Sequence, residues 1–535
     1  MGLATVADAD MSSGKDRDEP PMLDTGQKFD VIVIGFGPSG ATLAHLLGLS
    51  GLSVLVLERD GGIYNVPRAV HFDDEVMRVF QTIGVADAVA EEARVNVGMR
   101  FVDPDGNLLL DWSRPQDIGQ HGWHASYRFH QPTLEAVLNE GIAKYPNVHL
   151  RRRCEAFLVE DRGDEALVRY EDMATGRIME ARCAHVVGCD GARSLLRRFI
   201  GSGMEDHGFH EKWLVVDVLL NGERPDLGDH SVQYCHPERS MTYARQPGNR
   251  RRWEIRLLPG EQDYSIARPD QIWALLSRWI GPDEAEIERV AAYTFHSLVA
   301  ERWRDGRLWI AGDAAHQTPP FMGQGMCAGI RDVANLAWKL VRSVRGEASE
   351  ELLDSYQSER KPNVTRYIVT AVGLGGLINA SDPGAALRMA QSSGESGGRM
   401  KSLVSELGPG PGAGPHRGRI FAQSRLRDGR RMDDAVGYAM ALVADAELAR
   451  EIGPVAGLQV ITPQDAPGIG EELSRLGVRA ALVRPDRYIL ATATSGPELT
   501  ALLATPAIAA LLAPPPSHAA APEPRRVAAG AHRAI

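Results

Sequence analysis

Three glycines near the start of the chain have a spacing that can bind phosphate. Residues 31–40 read VIVIGFGPSG, which places Gly35, Gly37 and Gly40 directly after an apolar run and at the start of a predicted helix that contains Pro38. In such a turn the first glycine permits the tight bend, the second lets backbone N–H groups approach a pyrophosphate, and the third allows the helix to pack closely on the strand. The helix N-terminus adds partial positive charge. The segment therefore predicts a dinucleotide-binding turn.

An acidic residue follows this turn at the distance that an adenosine ribose requires. Glu58 ends the next predicted strand, about 20 residues beyond the glycines, and Arg59 follows it. A carboxylate at this point accepts hydrogen bonds from both ribose hydroxyls, whereas it repels a 2'-phosphate. We therefore expect Glu58 and Arg59 at the adenosine side of a bound dinucleotide.

The first motif alone does not distinguish FAD from NAD, but two later segments do. Residues 187–197 read VGCDGARSLLR, and residues 308–340 read LWIAGDAAHQTPPFMGQGMCAGIRDVANLAWKL. They resemble the second and third fingerprints of the FAD-dependent aromatic hydroxylases, the single-component flavoprotein monooxygenases typified by p-hydroxybenzoate hydroxylase and phenol hydroxylase. With residues 64–84, YNVPRAVHFDDEVMRVFQTIG, they are most similar to the 3-(3-hydroxyphenyl)propionate or 3-hydroxycinnamic acid hydroxylases. The resemblance covers residues 28–375 and returns weakly at residues 482–492.

The resemblance implies which further residues bind a non-covalent FAD. Asp313 would bind the ribityl chain, and Gly312 the adjacent phosphate region. A helix N-terminus at residues 319–326 would stabilise the negative charge that reduction places on the flavin. The remaining implied contacts are Arg68 and Gln131 at the phosphates, Asp190 and Gly191 near the flavin and the nicotinamide, and Pro320, Gly323, Gly325 and Met326 at the flavin edge.

Several polar side chains in and near these motifs have simpler interpretations. Asp313 has the alternative role of a helix cap, and His316 is expected to pack or bond locally rather than to take protons. Cys327 stands where the wider family has Asn beside the flavin, and we expect its thiol to be a small packed group. Asp73 and Asp74 are expected to cap a helix.

The family that these motifs resemble carries out a defined reaction. FAD is reduced by NADH or NADPH and reacts with dioxygen, one oxygen atom enters an aromatic ring that its own hydroxyl activates, and the other leaves as water. The protein must hold the ring close to the flavin and exclude water, and no metal is required. Only one complete dinucleotide-binding β-α-β unit is visible, which suits a nicotinamide that binds transiently.

The substrate is expected to lie under an antiparallel sheet. Short predicted strands between residues 213 and 258 are separated by turn residues, which indicates such a sheet. Aromatic and basic side chains there suit a carboxylated phenol, although each one is also an ordinary strand residue; they are Tyr234, His236, Tyr243, Trp253 and Arg256. No catalytic base is identified, and His71, Tyr234 and Tyr243 are candidates.

Composition excludes several classes of partner. The 535 residues carry a formal net charge of −11, so we expect neither nucleic acid nor an anionic membrane as a partner. Five cysteines without Cys-x-x-Cys spacing fit a reducing compartment. The sequence has no run of about 18 uncharged apolar residues and no signal-peptide pattern at its N-terminus. We expect a cytoplasmic enzyme that binds a small aromatic substrate and dioxygen, with a homodimer left open.

The predicted fold is α/β and has three parts. They are a Rossmann-like FAD-binding domain of the p-hydroxybenzoate hydroxylase type, an antiparallel-sheet substrate domain and a small C-terminal thioredoxin-like α/β domain. Without Cys-x-x-Cys the last of these is not a dithiol oxidoreductase, and packing or dimer contacts are its expected role. The expected boundaries are a disordered leader at 1–27, the discontinuous FAD-binding domain at 28–205 and 300–375, the substrate domain at 206–299, a helical or linker region at 376–430, the C-terminal unit at 431–512 and a disordered tail at 513–535.

Three other functions share some of these features. Flavin-dependent halogenases carry a W-x-W-x-I-P segment, which the sequence lacks. A hydroxylase of a bulkier phenol or a polyketide has the same fold, and only the likeness at residues 64–84 speaks against it. A non-catalytic flavin-binding regulator need not keep the flavin edge prepared for anions, so the motifs at 312–316 and 323–325 disfavour it.

Overall fold

The computed structural model describes residues 28–63, 69–261, 263–380, 382, 384, 400 and 402–512. The predicted leader, the predicted tail and Arg68 lie outside these residues. The helices are α1 (Pro38–Leu49), α2 (Asp74–Thr82), α3 (Ala86–Glu92), α4 (Gln131–Gly141), α5 (Leu195–Phe199), α6 (Asp263–Ile266), α7 (Pro269–Leu276), α8 (Gly325–Val344), α9 (Glu350–Ile378), α10 (Met432–Val436), α11 (Ala446–Ile452), α12 (Gly468–Leu476), α13 (Gly496–Leu503) and α14 (Pro506–Leu512), with short 3-10 helices at Ile142–Lys144, Pro225–Leu227, Gly312–Ala314 and Pro320–Met322.

The strands divide among four sheets. They are β1 (Lys28–Ile34), β2 (Val54–Glu58), β3 (His71–Asp73), β4 (Arg94–Val95), β5 (Gly98–Val102), β6 (Leu108–Ser113), β7 (Ser126–Arg128), β8 (Val148–Arg152), β9 (Cys154–Asp161), β10 (Ala166–Asp172), β11 (Arg177–Gly188), β12 (Met204–Leu220), β13 (Ser231–Tyr234), β14 (Met241–Arg245), β15 (Arg250–Arg256), β16 (Ala285–Ala300), β17 (Arg304–Asp305), β18 (Leu308–Ile310), β19 (His316–Gln317), β20 (Ala441–Ala444), β21 (Gln459–Ile461), β22 (Ala480–Val483) and β23 (Ile489–Ala493).

The first sheet is built on the predicted β-α-β unit. Strand β1 pairs in parallel with β2 on one side and with β11 on the other. The strand order is β17-β18-β11-β1-β2-β8, and β10 and β9 continue from β11. Strands β1 and β2 are almost entirely buried, which explains why they are continuous apolar runs rather than alternating ones. The glycine turn leaves the carboxyl end of β1, where ligands of such sheets bind.

The second sheet is wider than the segment 206–299 that was predicted to form it. Its order is β19-β16-β12-β15-β14-β13-β5-β6, and most neighbours are antiparallel. Strands β5 and β6, at residues 98–113, join it because β5 pairs in parallel with β13. This pairing joins residues more than 100 positions apart, so no local pattern indicates it. A third, small antiparallel sheet, β3-β7-β4, places His71 directly opposite Arg128.

The C-terminal unit is a four-stranded sheet in the order β21-β20-β22-β23. Strands β20 and β21 are parallel, and the other two pairs are antiparallel. The unit is thus a small mixed sheet with helices, as the predicted α/β character requires, and its thioredoxin-like identity stays a prediction. Trp338 of α8 and Leu352 of α9 belong to its hydrophobic cluster, so the unit packs on the helices that follow the third motif.

The two long helices follow the third motif. Helix α8 starts at Gly325, and α9 continues to Ile378. A Cβ atom at Gly375 would lie 2.9 Å from the rings of Phe209 and Phe321, so the glycine lets this end of α9 pack closely. None of the helices in the described residues is long and apolar enough to cross a membrane.

Candidate active site

The glycines of the first motif each serve a distinct steric purpose. Gly35 has a positive φ of +96°, and a Cβ atom there would lie 2.5 Å from the carbonyl oxygen of Cys189. A Cβ atom at Gly40 would lie 2.0 Å from the carbonyl oxygen of Gly35, so α1 could not pack on the turn with any other residue. A Cβ atom at Gly37 would meet no atom within 4 Å, and Pro38 is the first residue of α1. The backbone is therefore open at Gly37, and this cradle fits a pyrophosphate.

Glu58 lies beside the turn, as its spacing predicted. Its Oε2 accepts a hydrogen bond of 2.7 Å from the backbone N–H of Phe36, and its Oε1 accepts one of 2.8 Å from Asp60. The carboxylate is half-buried and Arg59 is exposed. The strand end thus holds a negative charge at the position expected for an adenosine ribose.

Asp190 of the second motif caps a helix. Its Oδ2 accepts hydrogen bonds of 2.6 and 3.2 Å from the backbone N–H groups of Leu195 and Leu196, at the start of α5. Its Oδ1 is buried without a hydrogen-bond partner in the described part of the chain. Gly191 follows with a φ of +76° and open space at its Cβ position. The motif shapes the loop after β11 around this capping carboxylate.

A buried ion-pair network holds the third motif. Asp332 Oδ2 accepts hydrogen bonds of 3.1 Å from the N–H of Gly312 and 2.6 Å from Nε2 of His316, and Oδ1 accepts one of 2.9 Å from Arg360. His316 and Asp332 are both fully buried. Although burial alone would raise it, the pKa of Asp332 is lowered by His316 and Arg360. His316 therefore positions the loop that carries Gly312 and Asp313.

Gln131, the first residue of α4, is hydrogen-bonded to Ala69 and Glu135. Its Oε1 accepts a hydrogen bond of 2.9 Å from the N–H of Ala69, and its Nε2 donates one of 2.7 Å to Glu135. Arg68, the other predicted phosphate contact, lies outside the described residues.

His71 packs against the turn before α8 and is hydrogen-bonded to it. Gly323 has a φ of +63°, and a Cβ atom there would lie 2.9 Å from Cβ of His71. The carbonyl oxygen of Gly323 can only accept, so Nδ1 of His71 donates to it, at 3.2 Å. Nε2 of the neutral ring then accepts a hydrogen bond from Ser126 Oγ, 2.7 Å away, and Ser126 Oγ in turn accepts one from Asn96. Burial, with Arg128 and Arg114 nearby, lowers the pKa of His71 to about 3. His71 is thus neutral, with a hydrogen bond at each ring nitrogen, and it lines the cavity described below. Its role as a candidate catalytic base stays a prediction.

Pro320 begins the short 3-10 helix of this turn, and Gly325 and Met326 are the first residues of α8. A Cβ atom at Gly325 would meet only Thr318, at 3.9 Å, so the start of the helix is open. Asp73 caps α2 as expected, since its Oδ1 accepts a hydrogen bond of 3.2 Å from the N–H of Val76. An open helix N-terminus beside a cavity fits the negatively charged edge of a flavin.

The second sheet, β3, β7 and residues 320–323 line a partly open cavity. Its charged lining residues are Arg114, Arg128 and Glu254, and Glu254 is the only carboxylate among the described residues of the lining. Arg128 donates a hydrogen bond of 2.6 Å to Ser231, whereas its buried Nε has no hydrogen-bond partner in the described part of the chain. Arg114 lies over the ring of Trp112, 4.1 Å from its centroid. Burial lowers the pKa of each arginine to about 10, so both remain cations at neutral pH.

Tyr234 and Tyr243 do not line this cavity, which corrects their prediction as substrate-side residues. Tyr234 packs on Trp279, and Tyr243 packs on Trp253, within the hydrophobic cluster on the other face of the sheet. Successive strand residues point to opposite faces, so the cavity receives the neighbours Gln233, Thr242 and Glu254 instead. The sequence predicted the correct strands but the wrong face.

Arg114, Arg128 and Glu254 are charged cavity residues that the sequence analysis did not single out. A usable signal existed at Glu254, because it lies between the apolar residues Trp253 and Ile255 of β15 and so points to the face opposite theirs. No comparable signal existed for Arg114 and Arg128. They reach the cavity only through the pairing of β5, β6 and β7 with distant strands.

Cys327 lies in the first turn of α8 and is fully buried. Its Sγ is 3.7 Å from the carbonyl oxygens of both His71 and Gly323, and burial raises the pKa of the thiol. We expect Cys327→Asn to lower the stability of the apoprotein by about 1–3 kcal/mol, because a larger side chain must enter a closed site. Urea unfolding measures this change. Cys327→Ser keeps the size and the donor, and is expected to stay within about 1 kcal/mol of the parent. A stabilised Cys327→Asn variant would show that the site has room for the amide.

A family model and related proteins of known name agree with the three motifs. Residues 28–371 match the family model described as FAD binding domain. The chain is 37% identical over 521 residues to the probable NADH-specific resorcinol 4-hydroxylase of Rhodococcus jostii strain RHA1, which covers 92% of this chain and 97% of that protein. It is 38% identical over 349 residues to the 3-(3-hydroxy-phenyl)propionate/3-hydroxycinnamic acid hydroxylase of Burkholderia cenocepacia strain HI2424, which covers 65% of this chain and 63% of that protein. The match to this second relative thus spans less than two thirds of its length.

Two solved structures share the fold over most of the chain. The flavin-dependent monooxygenase PieE, in complex with FAD and substrate, superposes with a TM-score of 0.74 at 21% identity and covers 91% of this chain and 99% of its own. The OxyS anhydrotetracycline hydroxylase from Streptomyces rimosus superposes with a TM-score of 0.73 at 26% identity, covering 92% and 100%. The similarity therefore includes the C-terminal unit as well as the region of the three motifs.

Proposed function

Since the chain belongs to the FAD-dependent aromatic hydroxylases, as its motifs predicted, we propose that its substrate is a small phenolic acid, 3-(3-hydroxyphenyl)propionate or 3-hydroxycinnamate, which it converts to the 2,3-dihydroxy product. Bound FAD supplies the chemistry that transfers electrons from the nicotinamide to dioxygen. NADH is the proposed electron donor, because the relative that matches over 97% of its length is named as NADH-specific.

The chain's own residues that would hold the FAD are those of the three motifs. The open backbone at Gly37 and the N-terminus of α1 would bind the pyrophosphate, and Glu58 the adenosine ribose. Gly312 and Asp313 lie in the loop that Asp332 fixes, and would bind the ribityl and phosphate region. The open N-terminus of α8 at Gly325 would face the flavin edge.

The charge of the cavity carries the proposal of an acidic substrate. Two arginines line it against one carboxylate, and the buried Nε of Arg128 has no hydrogen-bond partner among the described residues. An unpartnered buried donor costs free energy, and a substrate carboxylate would satisfy it and balance the second cation. We therefore assign Arg128 to the carboxylate of the substrate, with Arg114 nearby.

Glu254 is the proposed acceptor of the phenol proton. Burial raises its pKa, although Arg252 opposes this shift, so Glu254 is a stronger base than an exposed carboxylate. Its strand position places it on the cavity face beside Thr242. A phenol that donates to Glu254 gains electron density on its ring, which favours attack at the neighbouring carbon.

A second candidate substrate is resorcinol, and one observation favours it. The relative that matches over nearly its whole length is named as a resorcinol hydroxylase. Resorcinol has no carboxylate, so it would leave Arg128 unpartnered. The two candidates therefore differ in whether binding in this cavity requires Arg128.

Product identification distinguishes the two candidates. The purified holoenzyme is incubated with NADH, air and either 3-(3-hydroxyphenyl)propionate or resorcinol, and NADH consumption, hydrogen peroxide and products are measured. We expect the acid to stimulate NADH oxidation and to yield the 2,3-dihydroxy acid. Hydroxylation of resorcinol without hydroxylation of the acid would reject the proposal in favour of the second candidate.

A further inference from the structure

The side chain of Gln324, in the turn that opens α8, is held by a buried chain of hydrogen bonds. Its Oε1 accepts a hydrogen bond of 3.0 Å from Arg331, and its Nε2 donates one of 3.2 Å to Oδ2 of Asp73. Gln324 is buried and is the residue immediately before α8. The position of this turn therefore depends on Arg331 and Asp73.

Arg331 is itself held by two carboxylates. Its NH2 group donates a hydrogen bond of 2.5 Å to Asp73, and its Nε donates one of 2.5 Å to Oε2 of Glu75. The guanidinium is buried, so its orientation is set by these partners rather than by solvent. Glu75 thus fixes the position of the Nε side of the Arg331 guanidinium.

The second oxygen of Glu75 reaches the C-terminal unit. Its Oε1 accepts a hydrogen bond from the hydroxyl of Tyr488, which directly precedes β23. The chain Tyr488, Glu75, Arg331 and Gln324 is therefore continuous from the C-terminal unit to the turn at the start of α8.

The turn that presents Tyr488 is fixed independently of this hydroxyl. Arg487 has a left-handed φ of 69°, its side chain donates to the carbonyl oxygen of Gly437 at 2.7 Å, and its own carbonyl oxygen accepts from Phe421 at 2.9 Å. Elsewhere the unit is docked by the buried ion pairs Arg78 with Asp433 and Arg484 with Glu359. Loss of the Tyr488 hydroxyl would therefore leave the C-terminal unit in place.

We propose that Tyr488 is a positioning residue through which the C-terminal unit sets the placement of the Gly323–Gly325 turn. The unit then contributes to the cofactor site without touching it. The proposal rests on the proposed placement of the flavin edge at the start of α8, and it is independent of which phenol is the substrate.

The matched variants for its test are Tyr488→Phe and Tyr438→Phe, each made in the full chain. Tyr438 lines the same small interface cavity as Tyr488, but its hydroxyl donates to the carbonyl oxygen of Ala334, at 3.3 Å, outside the chain to Gln324. Both changes remove one buried hydroxyl from the same interface. General loosening of that interface would therefore affect both variants alike.

FAD affinity of the apoprotein, the visible spectrum of bound FAD and the ratio of product to NADH consumed are measured. For Tyr488→Phe we expect an FAD Kd raised by about three- to tenfold, an altered flavin spectrum and a lower product ratio. For Tyr438→Phe we expect an FAD Kd within about twofold of the parent and an unchanged spectrum. Equal effects in the two variants, or none in Tyr488→Phe, would overturn the proposal.

Glu75→Gln provides a second test, including the case in which Tyr488→Phe does not fold. It keeps the shape and an acceptor oxygen but removes the charge that Arg331 needs. We expect the same pattern of weaker FAD binding and altered flavin spectrum. An unchanged Kd and spectrum in a folded Glu75→Gln protein would contradict the role of this chain.

Discussion

Arg128→Met is expected to lower kcat/KM for 3-(3-hydroxyphenyl)propionate by about 10- to 150-fold, the loss that corresponds to about 1.5–3 kcal/mol for a hydrogen bond between charged groups. Methionine keeps most of the length and apolar volume of the side chain, so the change removes mainly the charge and the donors. The loss should fall largely on KM, because the carboxylate is bound in the ground state and the transition state alike. Steady-state kinetics with coupled product analysis measures it.

Two comparisons make this result specific to an acidic substrate. If resorcinol is turned over at all, its kcat/KM should change far less, because it lacks a carboxylate. Arg251→Met is the matched variant, since Arg251 is also a buried arginine of the same region but donates to the carbonyl oxygens of Gly248 and Arg250, outside the cavity lining. Unchanged kinetics with the acid in Arg128→Met would place its carboxylate elsewhere.

Asp332→Asn is expected to destabilise the protein by about 3–5 kcal/mol, because it leaves Arg360 buried without its carboxylate. Arg360 and Asp332 are both almost completely inaccessible, so water cannot replace the lost partner. The same change weakens the hydrogen bond to the N–H of Gly312, and FAD affinity should fall as well. Denaturant unfolding of the apoprotein and FAD titration measure the two effects separately.

The difference in free energy of unfolding between the parent and Asp332→Asn should depend on pH in a predictable direction. The folded state lowers the pKa of Asp332 relative to an unfolded carboxyl of about 3.9, so its contribution is fully present above that value. As the pH falls through the folded-state pKa, Asp332 becomes protonated in the parent protein, and its contribution to the free energy of unfolding is lost. The difference in free energy of unfolding between the parent and Asp332→Asn should therefore become smaller. Asp354→Asn is the control, because its carboxylate is 70% exposed and its partner Arg304 keeps a second carboxylate, Glu350. A change of more than about 1 kcal/mol in this control would show that simple charge loss, rather than burial, explains the result.

The local motifs of this protein were predictable because they depend on neighbouring residues. The tight turn at Gly35, the close packing at Gly40 and the carboxylate at Glu58 follow from spacing within one β-α-β unit, and the structure places all three as expected. The α/β character of the C-terminal unit was also indicated by the local alternation of strands and helices. Such features depend only on residue types and their spacing over a short stretch of chain.

The substrate side was decided by tertiary structure. Tyr234 and Tyr243 were expected in the cavity, but a shift of one residue along a strand moves a side chain to the other face, and local composition does not say which face is covered. Arg128 reaches the cavity because β7 pairs with β3, more than 50 residues away, and Tyr488 reaches Glu75 from 413 residues along the chain. The sequence alone therefore determined the cofactor motifs and the family that they mark. Only the tertiary structure decided which charges meet in the substrate cavity, because those contacts join segments that share no local pattern.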